Sequence, residues 1–334
     1  MAMNRKVILA ETPSGIPQTR HFSIVESPAP ELPADGFLVE NQFLSVEPAM
    51  RGWLSDKGNY SKQILVGDVM RAISAGRIVA SNNPTYPVGT SVSGWFGWQE
   101  VAAAKEADVI RVIKEDDLPL SLSLGVLGLT GMAAYLGLTY AGTPLAGDTV
   151  VVSTAAGAVG SVVGQVAKLL GCRAVGITGS EAKVRLCLDE FGYDAAFSYK
   201  DGDLAARMAE ACRGGVNVYF DNTAGSISDA VRVHLAIGAR IVICGTASVS
   251  SWNPPPTGPR IERDLLTKRA RMQGFLAFDH RDKYESTVER LALWIRQGKL
   301  AWREDVLPGI ESCPDAIAGL YRGENLGKRI IRLR

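Results

Sequence analysis

One stretch of the sequence, residues 148–171, limits the fold of this chain more than any other: DTVVVSTAAGAVGSVVGQVAKLLG. Residues 149–154 are an uncharged, β-branched run, which predicts a strand covered on both faces of a parallel sheet. Apolar residues recur at helical spacing over 161–170, which predicts a helix. The turn between them carries the dinucleotide-binding pattern G-x-G-x-x-G with alanine first: Ala155, Gly157 and Gly160. The stretch therefore predicts a strand, a turn and a helix whose first N–H groups point at phosphates.

The same alternation of strand and helix continues after this stretch. Strand-like segments lie at 150–154, 174–178, 195–199, 216–220, 240–244 and 272–278. Helical patterns lie between the first five of them, at 161–170, 181–191, 204–212 and 226–235. Strands that alternate with helices of this length are typical of a parallel, doubly wound α/β sheet.

The remaining segments predict a second, different unit. Residues 1 to about 125 are rich in proline, glycine and β-forming residues, which favours short, mostly antiparallel strands. Residues 122–141 predict one or two buried helices, and residues 280–297 predict an amphipathic helix. The tail predicts a strand, a helix and a strand at 300–305, 314–321 and 328–333. We therefore predict one domain from residues 1–126 together with 299–334, and a dinucleotide-binding domain at 127–298.

Composition excludes several classes of protein. The formal net charge of +1 argues against a nucleic-acid-binding surface. No apolar run reaches the length of a membrane span, and the N-terminus enters a strand-like run without a signal sequence. Five cysteines, an odd number with no C-x-x-C pair, favour a reducing compartment. We expect a cytoplasmic protein with no nucleic-acid or membrane partner.

The end of the second predicted strand indicates which dinucleotide binds. NAD-binding folds place an acidic side chain about 20 residues after the glycines, where it accepts the ribose 2′-hydroxyl. Here the strand ends at Thr178, and Glu181 stands at the start of the next helix, where it offsets the helix dipole. Lys183, one turn further, could reach a 2′-phosphate or could be a solvated helix lysine. The absent acid and the nearby cation favour NADP(H).

Five motifs together resemble one known family: the glycine-rich stretch with its second strand (STAAGAVGSVVGQVAKLLGCRAVGITGS), VYFDNTAG, ARIVICG, RARMQGFLAFD and ENLGK. The sequence is similar to the zinc-independent medium-chain dehydrogenase/reductases, in the branch of prostaglandin reductases, alkenal double-bond reductases and curcumin reductases. The resemblance implies a doubly wound parallel Rossmann domain that binds NADP(H) and a mostly antiparallel, GroES-like β catalytic domain. It also implies a homodimer, for which the strands at 240–244 and 272–278 would serve as sheet edges.

The resemblance also implies cofactor contacts. Residues of the turn would hold the pyrophosphate: Gly157, Ala158, Val159 and Gly160. The 2′-phosphate would lie on Lys183 and Tyr199. The rest of the cofactor would be lined by Asn222, Cys244, Gly245, Thr246, Phe275 and Asn325. Three of these have structural alternatives, since Tyr199 could simply end a strand, Cys244 could be a small buried residue and Phe275 could belong to the core.

The chain departs from the family at Trp252, where this branch usually has a tyrosine. An indole N–H can donate a hydrogen bond but cannot supply a proton at neutral pH. Trp252 therefore fits a wall of the cofactor or substrate site better than a proton donor.

The sequence also limits the chemistry. Residues 1–171 contain no cysteine, and their only histidine is His21, so we expect no catalytic zinc. Without a metal, hydride transfer needs an activated acceptor such as a conjugated C=C–C=O group. Hydride would add to the β-carbon, and hydrogen-bond donors would stabilise the charge that builds on the carbonyl oxygen.

Few side chains could be such donors. Tyr60 lies in a loop that resembles the family's K-G-x-Y segment and is our candidate catalytic hydroxyl, with an exposed loop tyrosine as the alternative. Arg51 lies in a family-like segment and fits a structural or phosphate-proximal role. The cofactor's own ribose hydroxyl is a further donor. The predicted pocket is lined by Arg51, Trp53, Met132, Trp252 and Phe278, although each aromatic or methionine side chain could instead be core.

The leading hypothesis is thus an NADPH-dependent reductase of α,β-unsaturated ketones or aldehydes. An NADPH-dependent quinone oxidoreductase shares the same zinc-free fold and is the second hypothesis. A protein that binds NADPH as a sensor without turnover is the third, and the change to Trp252 keeps it open.

Overall fold

The computed structural model describes residues 3–55, 61–200, 202–249 and 254–333. The chain forms two compact units, one from Met1–Gly125 with Glu304–Arg334 and one from Val126–Arg303. The second boundary lies after residue 303 and not after the predicted residue 298. Residues 299–303 stay with the second unit because Gln165 makes two hydrogen bonds to the backbone of Ala301, at 2.9 and 2.7 Å.

The strands follow one another along the chain as β1 (Met3–Leu9), β2 (Phe22–Pro28), β3 (Phe37–Ser45), β4 (Ser74–Ser81), β5 (Ser91–Gly94), β6 (Val101–Ala104), β7 (Val109–Val112), β8 (Thr149–Ser153), β9 (Arg173–Thr178), β10 (Ala195–Ser198), β11 (Val216–Asp221), β12 (Leu235–Ile243), β13 (Arg271–Gly274), β14 (Glu304–Pro308) and β15 (Lys328–Arg332). The α-helices are α1 (Met50–Trp53), α2 (Leu129–Leu136), α3 (Gly160–Leu169), α4 (Glu181–Arg185), α5 (Leu204–Ala211), α6 (Gly225–Arg232), α7 (Glu262–Lys268), α8 (Tyr284–Arg296) and α9 (Cys313–Arg322).

The second unit contains a six-stranded parallel sheet in the order β10-β9-β8-β11-β12-β13. The predicted doubly wound sheet is therefore confirmed. All five residues of β8 are buried, as expected for a central strand covered on both faces. The strand order reverses between β8 and β11, and ligands of such sheets bind at the carboxyl ends of the strands at this point.

The first unit is mostly antiparallel, as predicted. Strands β1 and β2 form an antiparallel pair. A seven-stranded sheet runs β14-β15-β3-β4-β5-β7, with β6 paired to β3, and only β14 and β15 in it are parallel. One of its buried clusters includes Met50, Trp53 and Trp98, and helix α9 contributes Ile317 to the same cluster.

Several predicted boundaries were wrong. The helix predicted at 226–235 ends at Arg232 in the structure. The strand predicted to begin at residue 240 already begins at Leu235. Gly238 has a φ of +74° inside that strand, and the register against β11 shifts there, so the glycine marks a bulge and not a strand start. The predicted strand at 272–278 ends at Gly274 and is followed by a 3₁₀ helix, Ala277–Lys283. Strand β14 covers 304–308, later than the predicted 300–305.

Two further corrections concern the sheet edge and a missed helix. Strand β12 lies between β11 and β13, so the segment 240–244 is not an edge strand, whereas β13 is. Helix α7 was not predicted because its sequence has no apolar stripe at helical spacing. The structure explains this, since none of its residues is fully buried. No helix in the described part of the chain is long and apolar enough to cross a membrane.

Candidate active site

The glycine-rich turn lies at the carboxyl end of β8, beside the reversal of strand order. Thr154 has a φ of +50°, and its carbonyl accepts a 2.8 Å hydrogen bond from the N–H of Gly157. A Cβ on Gly160 would lie 2.3 Å from the Thr154 carbonyl oxygen and 2.8 Å from the Cα of Ala155. Only glycine therefore allows α3 to start so close to β8.

The rest of the turn remains open. Gly157, Ala158 and Val159 are partly exposed, and α3 begins at the next residue. A Cβ on Gly157 would meet only the Thr154 carbonyl oxygen within 3.5 Å, at 3.1 Å. The turn thus offers backbone N–H groups and a helix N-terminus without side chains in the way. This geometry fits a dinucleotide pyrophosphate.

Asn222 joins the ends of the two strands that flank the reversal. Its backbone N–H donates to the Ser153 hydroxyl and its side-chain amide donates to the Ser153 carbonyl, both at 2.8 Å. Asn222 is half-buried. The predicted cofactor residue is therefore held beside the glycine-rich turn by contacts to β8.

The neighbouring Asp221 was missed by the sequence analysis. Its side chain is fully buried and accepts hydrogen bonds of 2.7–3.2 Å from the Tyr219, Ser153, Thr223 and Ser228 hydroxyls and from the backbone N–H groups of Thr223 and Ala224. The carboxylate thereby fixes the turn after β11, in which Ala224 has a φ of +58°. The sequence feature that could have indicated Asp221 is its position, as the single charged residue at the end of strand β11.

The predicted turn of Cys244, Gly245 and Thr246 follows β12 and packs on this same structure. The N–H groups of Cys244 and Gly245 donate to the Asp221 carbonyl at 2.8 and 3.1 Å. A Cβ on Gly245 would lie 2.9 Å from the Asn222 carbonyl oxygen. Burial raises the pKa of the Cys244 thiol to about 12, which favours the neutral thiol over the reactive thiolate.

The residues predicted to select the 2′-phosphate gather where β9 and β10 end. The N–H of Tyr199 donates to the Thr178 carbonyl at 3.0 Å. The Tyr199 ring is 42% exposed and lies against Gly179, where a Cβ would be 3.3 Å from the ring. Glu181 pairs on the surface with Arg185 at 3.4 Å, and Lys183 is partly buried in the same helix.

Lys200 adds a second cation that the sequence analysis did not consider. Its ammonium lies 5.7 Å from the centre of the Tyr199 ring. The end of β10 therefore carries a tyrosine and a lysine together.

Three other predicted residues of the second unit are more enclosed. Phe275 is 7% exposed and its ring stacks on His280 with centres 5.2 Å apart. Met132 is fully buried in α2, and Phe278 is half-buried in the 3₁₀ helix after β13.

In the first unit, Arg51 and Trp53 lie on α1. The Arg51 guanidinium is 5.6 Å from the centre of the Tyr321 ring, and Tyr321 donates to the Pro48 carbonyl at 3.1 Å. Trp53 is 2% exposed in the core, 5.7 Å from the ring of Trp95. Both side chains are thus buried within their unit.

Asn325 lies in the turn before β15, where its amide donates to the Gly327 carbonyl at 2.8 Å. Two predicted site residues lie outside the described residues. They are Tyr60, the candidate catalytic residue, and Trp252, which stands where this branch usually has a tyrosine.

Comparison with known proteins identifies the family. A model described as the N-terminal domain of oxidoreductase matches residues 5–112, and one described as zinc-binding dehydrogenase matches residues 158–293. NADPH-dependent curcumin reductase from Escherichia coli (strain K12) is 36% identical over 99% of this chain and 97% of its own length. The NADP(+)-dependent 2-alkenal reductase of Nicotiana tabacum is 37% identical over 98% and 97%. The chain belongs to the prostaglandin and alkenal reductase branch of the medium-chain dehydrogenase/reductases.

A solved structure agrees with this assignment. CurA from Vibrio vulnificus matches with a TM-score of 0.92 at 37% identity over 99% of both chains, and its structure in complex with NADPH matches equally well at 36% identity. The family and the fold class expected from the sequence are therefore confirmed.

His21, the one histidine in residues 1–171 of this medium-chain reductase, has a structural role. His21 is 2% exposed, and its Nδ1 accepts a 2.8 Å hydrogen bond from the N–H of Gln18. Across the described residues, no group of three or more histidine, cysteine, aspartate or glutamate side chains is arranged to hold a metal ion.

One cleft of the reductase's second unit lies away from the glycine-rich turn. It has a volume of about 660 Å³ and is lined by residues that include Thr149, Arg173, Ala195 and Gly214. Thr149 and Arg173 begin β8 and β9, so the cleft lies at the amino ends of these strands. The cofactor residues described above lie at the opposite, carboxyl ends.

Proposed function

We propose that this chain reduces the C=C bond of α,β-unsaturated ketones or aldehydes with NADPH, by hydride transfer to the β-carbon and without a metal ion. The observation that carries the proposal is the open turn at Gly157–Gly160, set at the reversal of strand order beside a strand end without an acidic side chain. The names of the relatives support the same activity, since curcumin reductase and 2-alkenal reductase are named for NADPH-dependent reductions.

The cofactor site proposed for this reaction follows the carboxyl ends of β8 to β13. The turn from Gly157 to Gly160 would hold the pyrophosphate through backbone N–H groups. Asn222 and the turn at Cys244–Thr246 would flank the nicotinamide half, with Phe275 behind them. Asn325 is proposed as a further cofactor contact.

The preference for NADPH is proposed to arise at the ends of β9 and β10. An acidic side chain after β9 would repel a 2′-phosphate, but here Thr178 is followed by Gly179 and Ser180. Lys183 would pair with the phosphate, and Tyr199, which is 42% exposed, would donate its hydroxyl. Lys200, next to Tyr199, would add a second positive charge.

When bound, NADPH supplies the hydride, and a proton from solvent or a hydroxyl group completes the reduction at the α-carbon. The chain must then stabilise negative charge on the substrate's carbonyl oxygen. A well-placed donor contributes about 3–4 kcal/mol to such a transition state. We propose the Tyr60 hydroxyl for this role, and Arg51, Trp53, Met132, Trp252 and Phe278 as residues that shape the substrate site.

Residues 1–171 hold no cysteine, so the sequence does not supply the thiolate ligands of a catalytic zinc there. A conjugated carbonyl needs no such ion, because conjugation already activates its β-carbon toward hydride. A reaction that needs no metal is therefore consistent with the absence of cysteine from residues 1–171.

We also propose a cytoplasmic homodimer. Strand β13 is an edge of the parallel sheet, and all four of its residues are exposed, which leaves a free edge for a second copy. The described cysteines are all free thiols, which suits a reducing compartment.

The test is NADPH oxidation by the purified protein with linear enals, medium-chain enones, cinnamyl-type ketones and quinones, with NADH as the control cofactor. We expect turnover with the enones, a saturated carbonyl product and a clear preference for NADPH. Turnover with quinones alone would replace the proposal by a quinone oxidoreductase. Thermal protection by NADPH without oxidation by any acceptor would indicate a cofactor-binding sensor.

A further inference from the structure

The first unit contains a buried lysine at the end of the ENLGK motif, for which the sequence predicted no role. Lys328, the first residue of β15, is 4% exposed. Its ammonium donates to the Ser45 hydroxyl at 2.7 Å and to the Val46 carbonyl at 3.0 Å, and lies 3.6 Å from a Glu47 carboxylate oxygen. A buried charge is costly unless it is paired and hydrogen-bonded, so these contacts account for its position.

The partners of Lys328 are themselves buried and connected. The Ser45 hydroxyl accepts from Lys328 and donates to Glu47 at 2.9 Å. Glu47 is 7% exposed, and Ser45 is fully buried. The three side chains thus form a buried network that ties the end of β3 to the start of β15.

This network lies next to two segments that carry proposed site residues. On one side, Asn325 is bonded to the Gly327 carbonyl, and Gly327 is joined directly to Lys328. On the other side, the Glu47 carbonyl accepts the N–H of Met50 at 3.1 Å, which begins α1 and therefore places Arg51.

We propose that Lys328 is a positioning residue of the reductase site, whose buried ammonium fixes the segment before Arg51 against the turn that carries Asn325. This inference rests on the proposed function, in which Asn325 contacts the cofactor. Lys328 itself contacts neither cofactor nor substrate in this role. It acts by holding the two backbone segments in one arrangement.

The test compares Lys328→Met with the double variant Lys328→Met/Glu47→Gln. The single variant leaves the Glu47 charge buried without its partner, so it should lower both the melting temperature and the affinity for NADPH. The double variant removes that charge and should recover most of the melting temperature. Its Kd for NADPH should still be about tenfold above wild type, which corresponds to about 1.4 kcal/mol.

Lys105→Met is the matched control, because Lys105 pairs with Asp35 on the surface of the same unit. Its Kd for NADPH, its kcat and its KM for an enone should equal those of wild type. If the single variant does not fold, the double variant and Ser45→Ala, which keeps both charges, carry the comparison. Recovery of NADPH affinity together with stability in the double variant would overturn the positioning role.

The two proposals fail in different ways. If wild type binds NADPH but reduces no enone, the proposed function fails, and the comparison of Kd values still tests Lys328. If wild type reduces enones and all variants bind NADPH equally well, only the role of Lys328 is wrong.

Discussion

The Tyr193 hydroxyl donates a 2.6 Å hydrogen bond to the carbonyl oxygen of Gly160, the first residue of α3. The Tyr193 ring occupies the space that side chains would need at two glycines. A Cβ would lie 2.1 Å from the ring at Gly164 and 3.2 Å from it at Gly176. Burial raises the pKa of Tyr193 well above its usual value, so the hydroxyl remains a donor. One aromatic side chain therefore holds the helix that follows the glycine-rich turn.

Replacing Gly164 by alanine should destabilise the second unit. The new methyl group would overlap the Tyr193 ring, and overpacking of this kind costs about 1–3 kcal/mol. Urea unfolding should show a lower midpoint for Gly164→Ala. Gly214→Ala is the control, since a Cβ there has no neighbour within 4 Å and its stability should change by less than about 1 kcal/mol. Equal midpoints for Gly164→Ala and wild type would show that Tyr193 moves aside without cost.

Alanine substitutions at Gly160 and Gly157 should have different effects. At Gly160 the methyl group would overlap backbone atoms of Thr154 and Ala155, so stability and NADPH affinity should both fall. At Gly157 the fold should persist, because only one contact of 3.1 Å is formed, while the methyl group would obstruct the pyrophosphate. Melting temperatures and NADPH titrations of both variants check this. Unchanged NADPH affinity in Gly157→Ala would contradict the proposed cradle.

The order of strands and helices in the second unit could be predicted because local signals determine it. The apolar run of β8 and the glycines after it carry both their secondary structure and their place in the sheet. By contrast, Tyr193 looks like an ordinary residue before β10, and only the fold brings it onto Gly160 and Gly164. Lys328 ends the ENLGK motif, but its contacts could not be predicted from the sequence because its partners lie near residue 45.

Sequence patterns also failed where an element lacks the usual signal. Gly238 normally indicates a turn, but here it forms a bulge inside β12. Helix α7 is polar on most sides, so no periodicity marked it. For the site, family motifs pointed to Asn222 and to the turn after β12, whereas Asp221, which holds both, was recognised only from its contacts.

Asp221→Asn should weaken both stability and cofactor binding. The carboxylate accepts several hydrogen bonds that an amide cannot fully accept, and each buried donor left unsatisfied costs about 1–3 kcal/mol. We expect a loss of at least about 2 kcal/mol in the free energy of unfolding and a higher Kd for NADPH. Asp229→Asn, at a partly exposed ion pair with Arg232, should cost less than about 1 kcal/mol. Similar losses in the two variants would refute the role of Asp221.

Lys183→Ala should change cofactor selectivity. A hydrogen bond to a charged group contributes about 1.5–3 kcal/mol, so kcat/KM for NADPH should fall roughly 10- to 100-fold while kcat/KM for NADH stays the same. Arg185→Ala, on the same helix and in an exposed ion pair with Glu181, should retain the wild-type ratio of kcat/KM for NADPH to kcat/KM for NADH. A parallel fall with both cofactors would place Lys183 outside the 2′-phosphate site.

Glu304→Gln should alter how stability depends on pH. Glu304 accepts from Ser121 at 2.9 Å, its other carboxylate oxygen is buried without a partner, and burial raises its pKa above the ordinary 4.5. The folded state therefore keeps this proton to a higher pH than the unfolded chain. The stability that it contributes is present below 4.5 and is lost as the pH rises through the raised pKa. Glutamine does not titrate, so the variant should gain stability relative to wild type as the pH rises from about 4.5 to 8. Urea unfolding across this range measures the difference, with the exposed Glu289→Gln as the control, and a difference that does not vary with pH would disprove the raised pKa.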